Sequence, residues 1–91
     1  MISNMEILHE EGRFRAKTAH GDAELLYKIE GKVMLMYHTF VPADERGNGI
    51  AERLALAAFA YAKDNGLKVR PACSYIRHFV ETHKEMQGYV G

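Results

Sequence analysis

The sequence predicts a mixed α+β (α/β) fold. Antiparallel strands come first, then a strand–helix–strand unit with a parallel central pair, then a C-terminal helix. Three observations carry this. The first half alternates short apolar runs with glycine turns. The alanine-rich segment from Gly49 to Asn65 repeats its apolar residues at helical spacing and stops at Asn65-Gly66. A short apolar run, Leu67 to Arg70, follows at once, so the strands flanking the helix are parallel partners through a right-handed crossover.

Each element has a local reason. Met5 to His9 reads as a strand, turned by Glu11-Gly12. Arg13-Phe14-Arg15-Ala16-Lys17 alternates polar and apolar, as a strand with a solvated face of Arg13, Arg15 and Lys17 does. His20-Gly21-Asp22 makes the next turn. In Glu24 to Ile29, Leu25, Tyr27 and Ile29 share a face, and Glu30-Gly31 forms a tight hairpin turn. Val33 to Val41 is apolar on both faces, the pattern of a strand covered on both sides, and Met34 and Met36 read as core. Pro42 cannot donate to a ladder and ends it. On the helix, Ile50, Leu54, Ala57, Ala58 and Tyr61 form one stripe. Ala51, Ala55, Ala58 and Ala62 form a second stripe of small residues that lets the axis approach a sheet. Pro71 ends the last strand. Ser74 to His83 is a second helix with Ile76, Phe79 and Val80 on its apolar side. Met86 to Gly91 reads as a tail on which Tyr89 and Val90 can dock.

Composition bounds the function. Ninety-one residues are expected to form one domain, residues 1–91, with a single core. The 12 basic and 12 acidic side chains balance, which argues against a general nucleic-acid or membrane-surface binder. A single cysteine excludes an intrachain disulfide and suits a reducing compartment. The first residues lack the basic start and apolar run of a signal peptide, and no stretch approaches the roughly 20 apolar residues that span a bilayer. The expectation is a soluble, cytoplasmic protein, monomeric or weakly dimeric.

The chemistry concentrates in Val41-Pro42-Ala43-Asp44-Glu45-Arg46-Gly47-Asn48-Gly49-Ile50-Ala51, between a strand and a helix. Two glycines at a helix N-terminus expose backbone N–H groups where the helix dipole is positive, the arrangement that cradles phosphate. A nucleotide P-loop needs Gly-Lys-Ser/Thr at the helix start, but Ile50-Ala51 follows Gly49 here. A dinucleotide turn needs a third small residue where this chain has Glu52. A purely structural turn is the alternative reading of Gly47 and Gly49.

The Arg46-x-x-Gly49-x-Ala51 pattern resembles the pyrophosphate loop of the GNAT superfamily of N-acetyltransferases. His38-Thr39-Phe40-Val41-Pro42 before it, and Gly66-Leu67-Lys68-Val69 with Pro71-Ala72-Cys73-Ser74-Tyr75 after it, are similar to the superfamily's small, single-domain GNAT-like branch. The resemblance covers about residues 24 to 83. It implies a GNAT-like mixed sheet and acetyl-CoA (coenzyme A) as cofactor. It also implies acetyl transfer to an amine acceptor, either a small amine or a protein lysine; a non-catalytic CoA-binding module or regulatory subunit is the alternative. By the same resemblance, the backbone of Phe40 and Val41 meets pantetheine. Backbone N–H groups of Arg46, Gly47, Asn48, Gly49, Ile50 and Ala51 bind pyrophosphate, and Tyr75, with Arg77 and His78, reaches the adenine end or stays solvated. Full-size members carry extra elements that shape the acceptor site; the short strands before Glu30 imply a shallow, open one.

Two residues are candidates for catalysis. Cys73 begins the last helix, where a thiol can gain thiolate character, and could accept the acetyl group or protonate the leaving thiol. The competing reading is a small buried hydrophobe. His38 is either a general base toward the amine or a hydrogen-bonded core histidine. His38, Cys73 and His78 show no recognised metal-ligand spacing, and no metal is expected.

Overall fold

A computed structural model describes residues 6–91. Five strands form one sheet in the order of the chain: β1 (Ile7–Glu10), β2 (Arg13–Thr18), β3 (Gly21–Glu30), β4 (Val33–Phe40) and β5 (Lys68–Pro71). The first four are antiparallel neighbours and β5 runs parallel to β4. Helix α1 (Ile50–Asp64) connects β4 to β5, and α2 (Ser74–Thr82) follows. This is the predicted architecture, with one change of place. The parallel pair lies at one side of the sheet, because β5 is its last strand.

The elements form where side-chain period and turn chemistry agree. Gly12 and Gly31 hold positive φ in the β1–β2 and β3–β4 turns, at 81° and 62°, a conformation glycine adopts without strain. Strand β3 starts at Gly21, so the predicted His20-Gly21-Asp22 turn closes two residues earlier, at His20. Met5 of the predicted first strand lies outside the described residues.

The core occupies one face of the sheet. Phe14, Ala16, Ala23, Leu25, Tyr27, Met34, Met36 and Val69 point into it from the strands. Helix α1 supplies Ile50, Leu54, Ala55, Ala58, Phe59 and Ala62, and α2 supplies Ile76, Phe79 and Val80. The alanine stripe lets α1 lie close to the strands. Phe59, outside both predicted stripes, is 2% exposed because it packs against Phe79 of α2, with ring centroids 5.4 Å apart. Both helices therefore share one face. The expected two-sided cover of β4 is absent: Val33 and Leu35 on its other face are half-buried and Tyr37 is exposed. Long neighbours such as Lys28, whose Nζ lies 5.5 Å from the Tyr37 ring centroid, shield that face in part.

A bulge in β4 matters most for the site. Leu26 pairs with His38 and Tyr27 with Met36, so Tyr37 is the extra residue. The insertion reverses the in–out alternation. Thr39, opposite the core residue Leu25, turns toward the helices, while His38 and Phe40, opposite Leu26 and Glu24, turn to the open face.

The C-terminal segment is structured rather than a tail. Lys84–Tyr89 forms 3-10 turns, and Val90 bridges to Val69, with the Gly91 N–H donating to the Val69 carbonyl at 3.1 Å. This covers the outer edge of β5, where exposed ladder groups would otherwise invite pairing.

Replacing Phe59 by Ala is expected to cost about 3–5 kcal/mol, because it empties the joint between the two helices. Leu56→Ala, at a helix position that is 40% exposed, should stay within about 0.5 kcal/mol. Urea denaturation of both variants checks the contrast.

Candidate active site

Strands β4 and β5 pair only from Val33–Lys68 to Met36–Pro71. The Ala72 N–H then donates to the Met36 carbonyl at 2.9 Å, and the chain leaves the sheet to start α2. Strand β4 continues alone to Phe40, so its edge facing β5 has no ladder partner there. At this parting opens a cleft of about 450 Å³.

The loop after β4 is built to present donors. Pro42 opens a 3-10 turn over Ala43–Glu45, and Arg46 Nε donates to the Val41 carbonyl at 3.0 Å, clipping the loop to the strand end. Gly47 (φ 88°) and Gly49 (φ 77°) then reverse the backbone into α1. A Cβ at either glycine would meet no protein atom within 4 Å, so their need is conformational. No side chain caps the helix, and its first bond from this loop is Arg53 N–H to the Gly49 carbonyl at 3.1 Å. Among the described residues, the N–H groups from Gly47 to Glu52 have no backbone acceptor. Donors left without partners at a helix N-terminus and beside a cleft fit a bound anion such as a pyrophosphate.

Of the predicted residues, Phe40, Val41, Arg46, Gly47, Gly49, Ile50, Ala51 and Tyr75 line the cleft together. Asn48 is outside the lining; its side-chain amide faces Glu45 Oε1 at 3.4 Å. Arg77 and His78 are exposed and also outside it. His38 is exposed on the open face, which overturns the core-histidine reading: the bulge turned it outward. Cys73 stands at the N-cap of α2, half-buried, with Sγ 3.4 Å from Thr39 Oγ1. Thr39 lines the cleft and Cys73 stands behind it. The burial of Tyr75, and then the charge of Glu52, raise its phenol pKa. No three His, Cys, Asp or Glu side chains converge as a metal set among the described residues.

Sequence reasoning missed two carboxylates in the lining, Glu45 and Glu52. Each is held by an imidazole from another element: Glu45 Oε2 lies 2.8 Å from His20 Nδ1, and Glu52 Oε2 lies 2.8 Å from His83 Nε2. The His83 ring stacks on Phe79 at 4.1 Å, with Nδ1 3.0 Å from the Phe79 carbonyl. Two acceptors at two ring nitrogens favour the doubly protonated ring. The Glu52 hydrogen bond first, and the Phe79 carbonyl next, raise the His83 pKa. His83 thereby engages the Glu52 carboxylate beside the donor row. The signal in the sequence was faint, since 31 positions separate Glu52 from His83.

A sequence model of the family described as GCN5-related N-acetyl-transferase matches residues 13–89. The chain belongs to this family. It is 40% identical over 68 residues to protein NATD1 of Bos taurus, covering 74% of this chain and 60% of that protein. The chain thus spans less than two thirds of the bovine relative's length. It is 36% identical to protein NATD1 of Xenopus tropicalis over 87% of this chain and 77% of that one. The solution structure of a GCN5-like protein from Staphylococcus aureus superposes with a TM-score of 0.74 at 25% identity, covering 99% of this chain and 91% of that one. These likenesses agree with the sheet and helix order described above. No helix of the described residues is long and apolar enough to cross a membrane.

The raised pKa of His83 has a definite sign for stability. The folded chain holds the proton more tightly than the unfolded one, so the gain is complete below the ordinary histidine value of about 6.5 and is lost as pH rises through the raised value. The melting temperature is expected to fall as pH rises from about 6.5 through the raised value, and His83→Gln should flatten that fall. Thermal denaturation of both proteins across the range measures it.

Proposed function

We propose that the chain moves an acetyl group from acetyl-CoA to an amine acceptor in a cytosolic setting. One observation carries the reading: unpartnered N–H donors from Gly47 to Glu52 open onto the cleft where β4 and β5 part. Acetyl-CoA supplies an acyl group already activated as a thioester, so that a C–N bond forms to the amine as the C–S bond breaks. The N–H groups of Gly47, Gly49, Ile50 and Ala51 would hold its pyrophosphate, with Arg46 adding positive charge. The unpaired edge of β4 at Phe40 and Val41 would hold the pantetheine amides, and an N–H there would stabilise a developing oxyanion. The Val41 carbonyl already accepts from Arg46, which leaves it one lone pair. Tyr75, a phenol in the lining, would return a proton to the departing thiol. Cys73, bonded to Thr39, acts as a positioning residue. His38 would meet the acceptor from the open face and take its proton.

The second reading, a CoA-binding module without transfer, is favoured by one fact. Neither His38 nor Cys73 lines the cleft.

Two measurements test the proposal. Gly49→Val forces a β-branched residue to φ 77°, and should weaken CoA binding at least about tenfold, or about 1.4 kcal/mol, by titration calorimetry. Cys73→Ala should keep acetyl transfer within about tenfold of the parent, the scale of one lost hydrogen bond. Loss of all transfer with CoA affinity intact would make Cys73 a nucleophile instead, and absence of transfer to any amine by the parent protein would support the module.

A further inference from the structure

The face of the sheet turned away from the helices is bare, and its charges are unevenly matched. Toward β1, the cations are satisfied. Arg13 contacts Glu10 and Glu24 at 2.6 and 3.3 Å, and Arg15 contacts Glu10 and Asp22 at 2.6 and 3.1 Å. Toward β5, they are not. Lys28 and Arg70 have no carboxylate partner among the described residues. They flank Leu35 in register, Lys28 on β3 and Arg70 on β5. Leu26, half-buried, and Tyr37 and Phe40, 40% and 42% exposed, extend this surface along β3 and β4 toward the parting of the strands. Phe40 belongs to both surfaces: it stands on this strip and also lines the cleft.

We propose that this strip docks the acetyl acceptor, and that the acceptor is a lysine borne on an acidic segment of a protein; this rests on the acetyl-transfer reading above. A small amine needs a pocket that buries most of its surface. The strip is instead open and apolar, with a cation on each side. An extended peptide laid across it would bury Tyr37 and Phe40 and bring carboxylates to Lys28 and Arg70. Two strand spacings separate those cations, about 10 Å, close to the reach of three extended residues. Side chains of an extended segment share a face only at even separations, so the acidic groups are expected two or four residues apart. His38, on the same face, is placed to take the proton of the incoming ammonium.

The test uses the whole protein with saturating acetyl-CoA and three matched lysine peptides, flanked by Glu, by Gln or by Lys. The Glu-flanked peptide should be acetylated with a kcat/KM at least about tenfold above the Lys-flanked one. The double substitution Lys28→Glu/Arg70→Glu should invert that order. Fluorescence anisotropy of the labelled Glu-flanked peptide should report binding that weakens with salt. Equal rates for the three peptides, faster turnover of a free polyamine, or displacement of the peptide by a single-stranded oligonucleotide at lower concentration would each overturn the proposal. In those cases acetyl transfer itself stands. No transfer to any amine overturns the proposal together with the reading it rests on, a distinguishable result.

Discussion

The structure depends on where β4 and β5 stop pairing. Pro71 has no N–H to continue a ladder, and the Ala72 N–H to Met36 carbonyl bond is the last tie before the chain turns into α2. Strand β4 runs on to Phe40, held only by β3. One strand that ends early beside one that continues leaves a wedge with an unpaired backbone edge. The α1 N-terminus opens beside it because the loop after Pro42 is short. The bulge at Tyr37 then assigns sides, sending Thr39 toward the cleft and Cys73 while His38 and Phe40 face outward.

The wedge is backed by a tightly packed core. Alanines at positions 55, 58 and 62 are fully buried, which brings α1 down onto the strands, and Phe59 against Phe79 fixes α2 to α1. The loop borrows its rigidity from neighbours. Arg46 holds the Val41 carbonyl, and His20, in the β2–β3 turn, holds Glu45. These contacts order the donors in advance, so that an anion meets N–H groups already in place. The carboxylates in the lining are each hydrogen-bonded to an imidazole, Glu45 to His20 and Glu52 to His83.

The fold was legible because its signals are local. Glycine turns, a 3.6-residue apolar period and two prolines each act within a few residues, and the loop motif was local too. Eight residues predicted for the cofactor line the cleft. What stayed hidden depends on distant contacts. Phe59 lies off the stripes because α1 packs on a second helix as well as on the sheet. The pairing of Glu52 with His83 was hidden because the partner is 31 positions away. The C-terminal turns have little apolar periodicity and are ordered by the β5 edge and by the Lys68 Nζ bond to the Gly88 carbonyl at 3.0 Å. The outward turn of His38 stayed hidden because a strict two-residue alternation cannot announce an extra residue.

By itself, then, the sequence determined the element order, the parallel crossover and the glycine loop that leaves helix donors free, since backbone sterics and side-chain period act on neighbours in the chain. Only the tertiary structure decided which sheet face is covered, which side of β4 meets the cleft, and which imidazoles meet Glu45 and Glu52. Those outcomes follow from a one-residue bulge and from pairings across tens of residues, where the deciding energy belongs to packing rather than to local propensity.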